Sequence, residues 1–148
     1  MSVQGKRIGL AAVLLVVVIQ FIPVDRHSPP VQAGNTIYAK ENMPAEVRAT
    51  LQRSCSDCHS DQTRWPWYSY VAPVSWLISG DVHGARSALN FSEWGTYSPK
   101  RRADKLEEFC DQLMNRKMPD SKYTFIHRRA RLTQQERDAV CTWANSSR

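Results

Sequence analysis

The sequence predicts an all-α protein, a small helical domain preceded by an apolar N-terminal helix. Three observations carry this expectation. No strand-like alternation of useful length appears anywhere in the chain. Apolar residues recur instead at three- and four-residue spacings, as in Val47/Leu51 and Leu106/Cys110/Leu113. Helix-starting residues stand ahead of those stripes, namely Pro44, Pro73, Ser98-Pro99 and Thr133 followed by Glu136.

The first element is the apolar run over 8–22, preceded by Lys6 and Arg7 and broken only by Gln20. A positive start followed by ~15 apolar residues fits a secretory signal or a signal anchor. The run is shorter than the ~20 residues that span a bilayer, but extending it over 5–24 reaches that length. Val31-Gln32-Ala33 resembles a cleavage site yet lies far from the run, so an uncleaved transmembrane anchor is expected over residues 1–24. Cytoplasmic placement of Lys6 and Arg7 would make this a single-pass protein of the cytoplasmic (inner) membrane. The rest of the chain would then lie in the periplasm.

Residues 25–42, with Asp25, Pro29, Pro30, Gly34 and Asn35, read as a linker, and 43–148 as one domain. The 148 residues suffice for one core and not two. Hydrophobic content of 42% and charged content of 23% indicate a globular body. The net charge of +6 suits nucleic acid, anionic lipid or an acidic protein. No nucleic-acid-binding motif is present, which sets the first of these aside.

Within the domain, a helix from about Pro44 places Val47 and Leu51 on one face and runs into Cys55, Cys58 and His59. An aromatic loop, Trp65-Pro66-Trp67-Tyr68-Ser69-Tyr70, follows. Pro73 opens a second helix with a stripe of Val74, Leu77, Ile78, Val82, Ala85 and Leu89, in which Gly80 and Gly84 weaken the helix or permit close approach of another group. Ser98-Pro99 caps a third helix with Ala103, Leu106, Cys110 and Leu113 on one face, ending before Met118-Pro119. Thr133 and Glu136 form a capping box for a last helix bearing Ala139, Val140, Trp143 and Ala144.

Cys55-Ser56-Asp57-Cys58-His59 is C-x-x-C-H, the attachment pattern for c-type haem. Two thiols three residues apart on a helical turn project to one side, where they can add to the two vinyl groups of one porphyrin edge. The adjacent imidazole then reaches the iron from one face. Three rivals fit less well. A zinc site needs a second tightly spaced pair, and Cys110 and Cys141 are far apart. A thioredoxin-like pair wants a preceding strand. A plain disulfide leaves His59 without a role.

Further stretches strengthen the haem reading: Trp65-Pro66-Trp67-Tyr68-Ser69, Val71-Ala72-Pro73-Val74-Ser75-Trp76, Leu89-Asn90-Phe91-Ser92-Glu93-Trp94, Met118-Pro119, Tyr123, His127, Ala130, Leu132 and Thr133. With the C-x-x-C-H motif they resemble the bacterial haem-binding domain family of small, membrane-anchored, mono-haem proteins. The resemblance implies a cytochrome c-like helical fold and one covalent haem c per chain.

An electron-transfer haem usually has a second protein ligand. Met118 is the choice, because Pro119 stiffens its loop and the pair matches the family's Met-Pro element. Met114, Met43, His127 and His83 are the alternatives. Arg86 is expected to pair with a haem propionate. One or two of Trp65, Trp67, Trp76 and Trp94 are expected to line the porphyrin, an indole N–H reaching a propionate. Cys110 and Cys141 can join the third and last helices by a disulfide. Lys100-Arg101-Arg102 and His127-Arg128-Arg129-Ala130-Arg131 concentrate positive charge suited to an acidic redox partner or anionic lipid. The expected function is a membrane-tethered one-electron carrier, not an enzyme. A haem-based sensor or a peroxidase-like protein with an open iron site is the alternative.

Overall fold

A computed structural model describes residues 3–148, and among them every regular element is helical. The helices are α1 (Val3–Ile19), α2 (Ile37–Lys40), α3 (Ala45–Ser54), α4 (Ser56–His59), α5 (Val74–Ala88), α6 (Pro99–Met114), α7 (Ser121–Ile126) and α8 (Gln134–Ser146). Short 3-10 turns at Ala33–Asn35, Trp67–Tyr70, Trp94–Thr96 and Arg128–Ala130 connect them.

The expected transmembrane anchor is corrected by α1. Residues 1 and 2 of that anchor lie outside the described residues. α1 has 17 residues, about 25 Å at 1.5 Å per residue, against ~30 Å of bilayer hydrocarbon. Among the described residues no helix is long and apolar enough to cross a membrane. The single-pass inner-membrane placement, and the periplasmic side derived from it, fall with that helix. The physical reason lies at Gln20. Its amide turns onto the domain, accepting from Ala72 N at 2.9 Å and donating to Ala72 O at 3.2 Å. Pro23 then disfavours the helical conformation at the residue before it, and the helix ends at Ile19.

Residues 25–28 continue along the domain. Asp25 O accepts from Ser79 Oγ at 2.6 Å, Arg26 Nη1 donates to Ser69 O at 3.2 Å, and the Arg26 guanidinium lies 4.4 Å from the Tyr70 ring centre. His27 O accepts from Arg86 Nη1 at 2.8 Å.

The core forms where the helical stripes meet. Val47 and Leu51 of α3 are buried with Leu106, Phe109 and Leu113 of α6, Val140, Trp143 and Ala144 of α8, and Leu89, Phe91 and Trp94 between α5 and α6. Two indoles in this core have polar partners, Trp94 Nε1 on Glu41 Oε1 at 2.7 Å and Trp143 Nε1 on Asn42 O at 3.2 Å. Cys110 and Cys141 are disulfide-bonded with Cα atoms 5.2 Å apart, tying α6 to α8. Thr133 and Glu136 make the expected capping box, and Glu136 also pairs with Arg53 of α3 at 2.7 Å. Ser98 accepts from Arg101 N at the start of α6.

The C-terminal end of α6 is a Schellman turn. Arg116 N donates to Leu113 O at 3.1 Å and Lys117 N to Gln112 O at 2.9 Å, with Arg116 at φ 56 where glycine is usual. Gln112 O also accepts from Met118 N at 3.2 Å, so the turn delivers Met118 back toward the core.

The stripe expected on α5 divides differently. Val82 and Leu89 are buried, but Val74 and Leu77 are exposed, and the inward face carries Ser75 and Ser79. The serines face inward because the extended segment 20–28 packs there, with Ser79 bonding Asp25 O. A side-chain carbon added at Gly80 or Gly84 would meet nothing within 4 Å.

Candidate functional site

The C-x-x-C-H motif sits on a single turn built where α3 ends. Cys55 leaves the α3 conformation at φ −126, and its carbonyl accepts from Cys58 N at 3.2 Å and His59 N at 2.9 Å to start α4. Cys55 is buried and Cys58 half-buried, and neither is disulfide-bonded. Burial pushes the Cys55 thiol up to about 12 and the Cys58 thiol up to about 11, helped at Cys58 by Asp57. Such thiols stay protonated at neutral pH, unlike the low-pKa nucleophile of a dithiol oxidoreductase.

His59 is oriented from across the fold. Its Nδ1 lies 3.1 Å from Ala85 O and 3.0 Å from Leu89 O, at the end of α5. Two carbonyl acceptors require the proton on Nδ1, which leaves the Nε2 lone pair for a metal. Burial lowers the imidazole's pKa and favours the neutral, ligating form. The His59 carbonyl accepts from Phe91 N at 2.7 Å, which fixes the backbone of the motif to the segment after α5.

The loop after His59 is held by a buried polar network. Arg86 Nε donates to Ser60 O at 2.9 Å, and Nη2 to Thr63 Oγ1 at 2.9 Å and Ser28 Oγ at 3.2 Å. Arg86 Nε also lies 3.5 Å from the buried Asp61 carboxylate. Asn90 Nδ2 donates to Asp61 Oδ1 at 3.1 Å, and Ser92 Oγ accepts from Asp61 N at 2.9 Å. The expected propionate partner Arg86 is therefore engaged by the protein itself and braces the chain around His59. Asp61, Asn90 and Ser92 were not expected to take part. Only the stretch Leu89-Asn90-Phe91-Ser92 in the family resemblance pointed toward them.

A second network borders Cys58. Arg64 Nε and Nη2 grip Asp57 at 3.0 and 3.1 Å, and Tyr123 OH donates to Asp57 Oδ2 at 3.1 Å. The Tyr123 ring stacks on His127 at 4.4 Å, and His127 Nε2 shares a short hydrogen bond with Tyr68 OH. Both phenols have raised pKa values, chiefly from burial.

Met118 is half-buried and packs against the apolar cluster that contains Cys55. Of the alternatives, His83 lies 3.4 Å from Asp25, Met114 is exposed and Met43 is buried in the core.

The chain matches the haem-binding domain family over residues 14–146. The chain belongs to that family. As a haem-binding domain it is a haem-binding protein, and haem is its partner. No curated protein and no solved structure matched it.

The haem-binding domain carries features that fit such a group. His59 offers Nε2, and two free thiols stand on the same turn. Trp65 Nε1 is a buried donor without a hydrogen-bond partner, which suits a carboxylate of the porphyrin. Trp67, Tyr70 and Val71 of the aromatic turn, Val74, Trp76 and Leu77 of α5, and Phe125 and Ile126 of α7 are exposed. Among the described residues no three His, Cys, Asp or Glu side chains group as a metal ion site. Haem brings four nitrogen ligands of its own.

Proposed function

We propose that this haem-binding domain carries one c-type haem bound covalently through Cys55 and Cys58, with His59 and Met118 as iron ligands, and works as a one-electron carrier. The observation that carries this reading is the His59 imidazole held through Nδ1 by two carbonyls, on the same turn as two unpaired thiols. That arrangement supplies a neutral Nε2 suited to the iron and two protonated thiols on the same turn suited to the vinyl groups of one porphyrin edge. A redox group when bound, the haem would supply the electron exchange. The protein's part is to orient His59, hold Met118 near the apolar cluster and exclude water. The carrier reading assigns no catalytic residue, so the protein is not read as an enzyme.

Exposed Arg128 and Arg129, next to exposed Phe125 and Ile126, support docking with an acidic redox protein. Lys100, Arg101 and Arg102 support it less. Lys100 pairs with Asp104 at 2.7 Å, Arg101 lies over the Tyr97 ring, and Arg102 binds Tyr97 O and Gly95 O.

The test is a denaturing gel stained for haem, run on chain expressed with a c-type maturation system. The parent retains stain, and a C55A/C58A variant loses it. Unstained parent protein removes the covalent reading. Ferrous protein with an unchanged spectrum under carbon monoxide supports two protein ligands and a carrier. A shifted band indicates the open iron site of a sensor or peroxidase.

A further inference from the structure

We infer that Arg137 is the positioning residue that holds Met118 in reach of the iron, an inference that rests on the Met118 ligation proposed above. Arg137 stands in the second turn of α8, beyond the capping box. Its Nη1 donates to Leu113 O at 2.8 Å and to Met118 O at 2.9 Å. One nitrogen thus joins the last turn of α6 to the carbonyl of the ligand residue itself. Among the described residues no carboxylate pairs with Arg137, so its charge is directed at these two carbonyls.

The surroundings explain why such a clamp is needed. Between Leu113 and Met118 the backbone turns through Arg116 in the left-handed region, and its other anchor is the Gln112 carbonyl. Gln112 orients the Met118 amide from one side, and Arg137 orients its carbonyl from the other. Together they fix the peptide groups flanking the Met118 Cα, and so the direction in which the thioether leaves the chain. The helices at the base of the clamp also carry the Cys110–Cys141 cross-link, three residues before Leu113 and four after Arg137, while the clamp itself consists of the two Arg137 hydrogen bonds. A bond between iron and a thioether is weak enough to depend on such placement. A cationic donor to a carbonyl is worth more than a neutral one.

The test uses the full chain with its haem and compares R137Q, R137M, M118A and C110S/C141S with the parent. Three quantities are read: the sulfur-to-iron charge-transfer band of the ferric protein, carbon monoxide binding by the ferrous protein, and the melting temperature. R137Q is expected to lose most of the band and to bind carbon monoxide roughly tenfold more tightly, as expected when one charged hydrogen bond no longer favours the closed ligand. R137M keeps the apolar stem and gives the same reading if R137Q does not fold. C110S/C141S loosens the same helix pair without touching the clamp, and is expected to melt earlier with its band retained. A band lost in M118A but kept in both Arg137 variants overturns this inference alone. A band lost equally in C110S/C141S also overturns it, since the cause would then be general loosening. A band kept in M118A overturns the Met118 ligation and this inference with it.

Discussion

Trp65 shows how one atom can report a missing partner. A buried N–H without an acceptor destabilises the chain that contains it by about 1–3 kcal/mol, and Trp65 Nε1 is such a donor. W65F removes the donor and keeps a smaller aromatic ring. It should therefore raise the melting temperature of the haem-free chain and lower that of the haem-loaded chain. Parallel melts of both forms check this, and shifts of the same sign would remove the assignment of the indole to a porphyrin carboxylate.

His59, Cys55 and Cys58 each contribute to the pH dependence of the haem-free chain's stability. Burial lowers the folded imidazole's pKa, so below the ordinary imidazole range the unfolded chain binds a proton that the folded chain does not. That contribution is present above about 6.5 and is lost as pH falls. The two thiols act in the other direction. Their folded values lie near 12 and 11, against 9.0 for an unperturbed thiol, so their contribution is present below about 9 and is lost as pH rises. Denaturant midpoints should peak between these limits, and H59Q should flatten the acid limb while leaving the alkaline one.

At the scale of elements, the α6–α8 pair is held by complementary stripes, a disulfide and Arg137. The disulfide bridges a sequence separation of 31, which corresponds to roughly 3.7 kcal/mol by chain entropy. C110S/C141S should lower the unfolding free energy by about that amount with little change in far-UV helicity, as read by urea titration. These elements were largely legible beforehand. Ser98-Pro99, Thr133 with Glu136, and the Val47/Leu51 and Leu106/Leu113 spacings are short-range signals that chain geometry turns directly into caps and faces. The inward face of α5 was not legible. Its apolar stripe predicted burial of Leu77, but Leu77 is exposed and Ser75 and Ser79 point inward, because what packs on a helix depends on distant chain.

At the scale of the molecule, Arg86 joins three segments, the extended chain at 27–28, the loop 60–63 and α5. Its buried partner Asp61 has the Asn90 amide for support but no second cation within ion-pair distance among the described residues. R86A leaves that carboxylate buried without its countercharge, at a cost of about 3–5 kcal/mol. Equilibrium unfolding should show that loss, and haem retention on a stained gel should fall with it. An effect under 1 kcal/mol would mean that water replaces the guanidinium freely.

The sequence by itself determined the helical class, the helix caps, the turn bearing Cys55, Cys58 and His59, and the haem reading that follows from that turn. Each depends on residues within a few positions of one another, where covalent geometry dictates what side chains share. Only the tertiary structure decided that α1 stops at Ile19 instead of extending to membrane-spanning length, that Arg86 braces the protein, and that His59 is oriented by carbonyls 26 and 30 residues away. Those outcomes depend on which distant groups compete for the same donors and acceptors, and that competition exists only once the chain has packed.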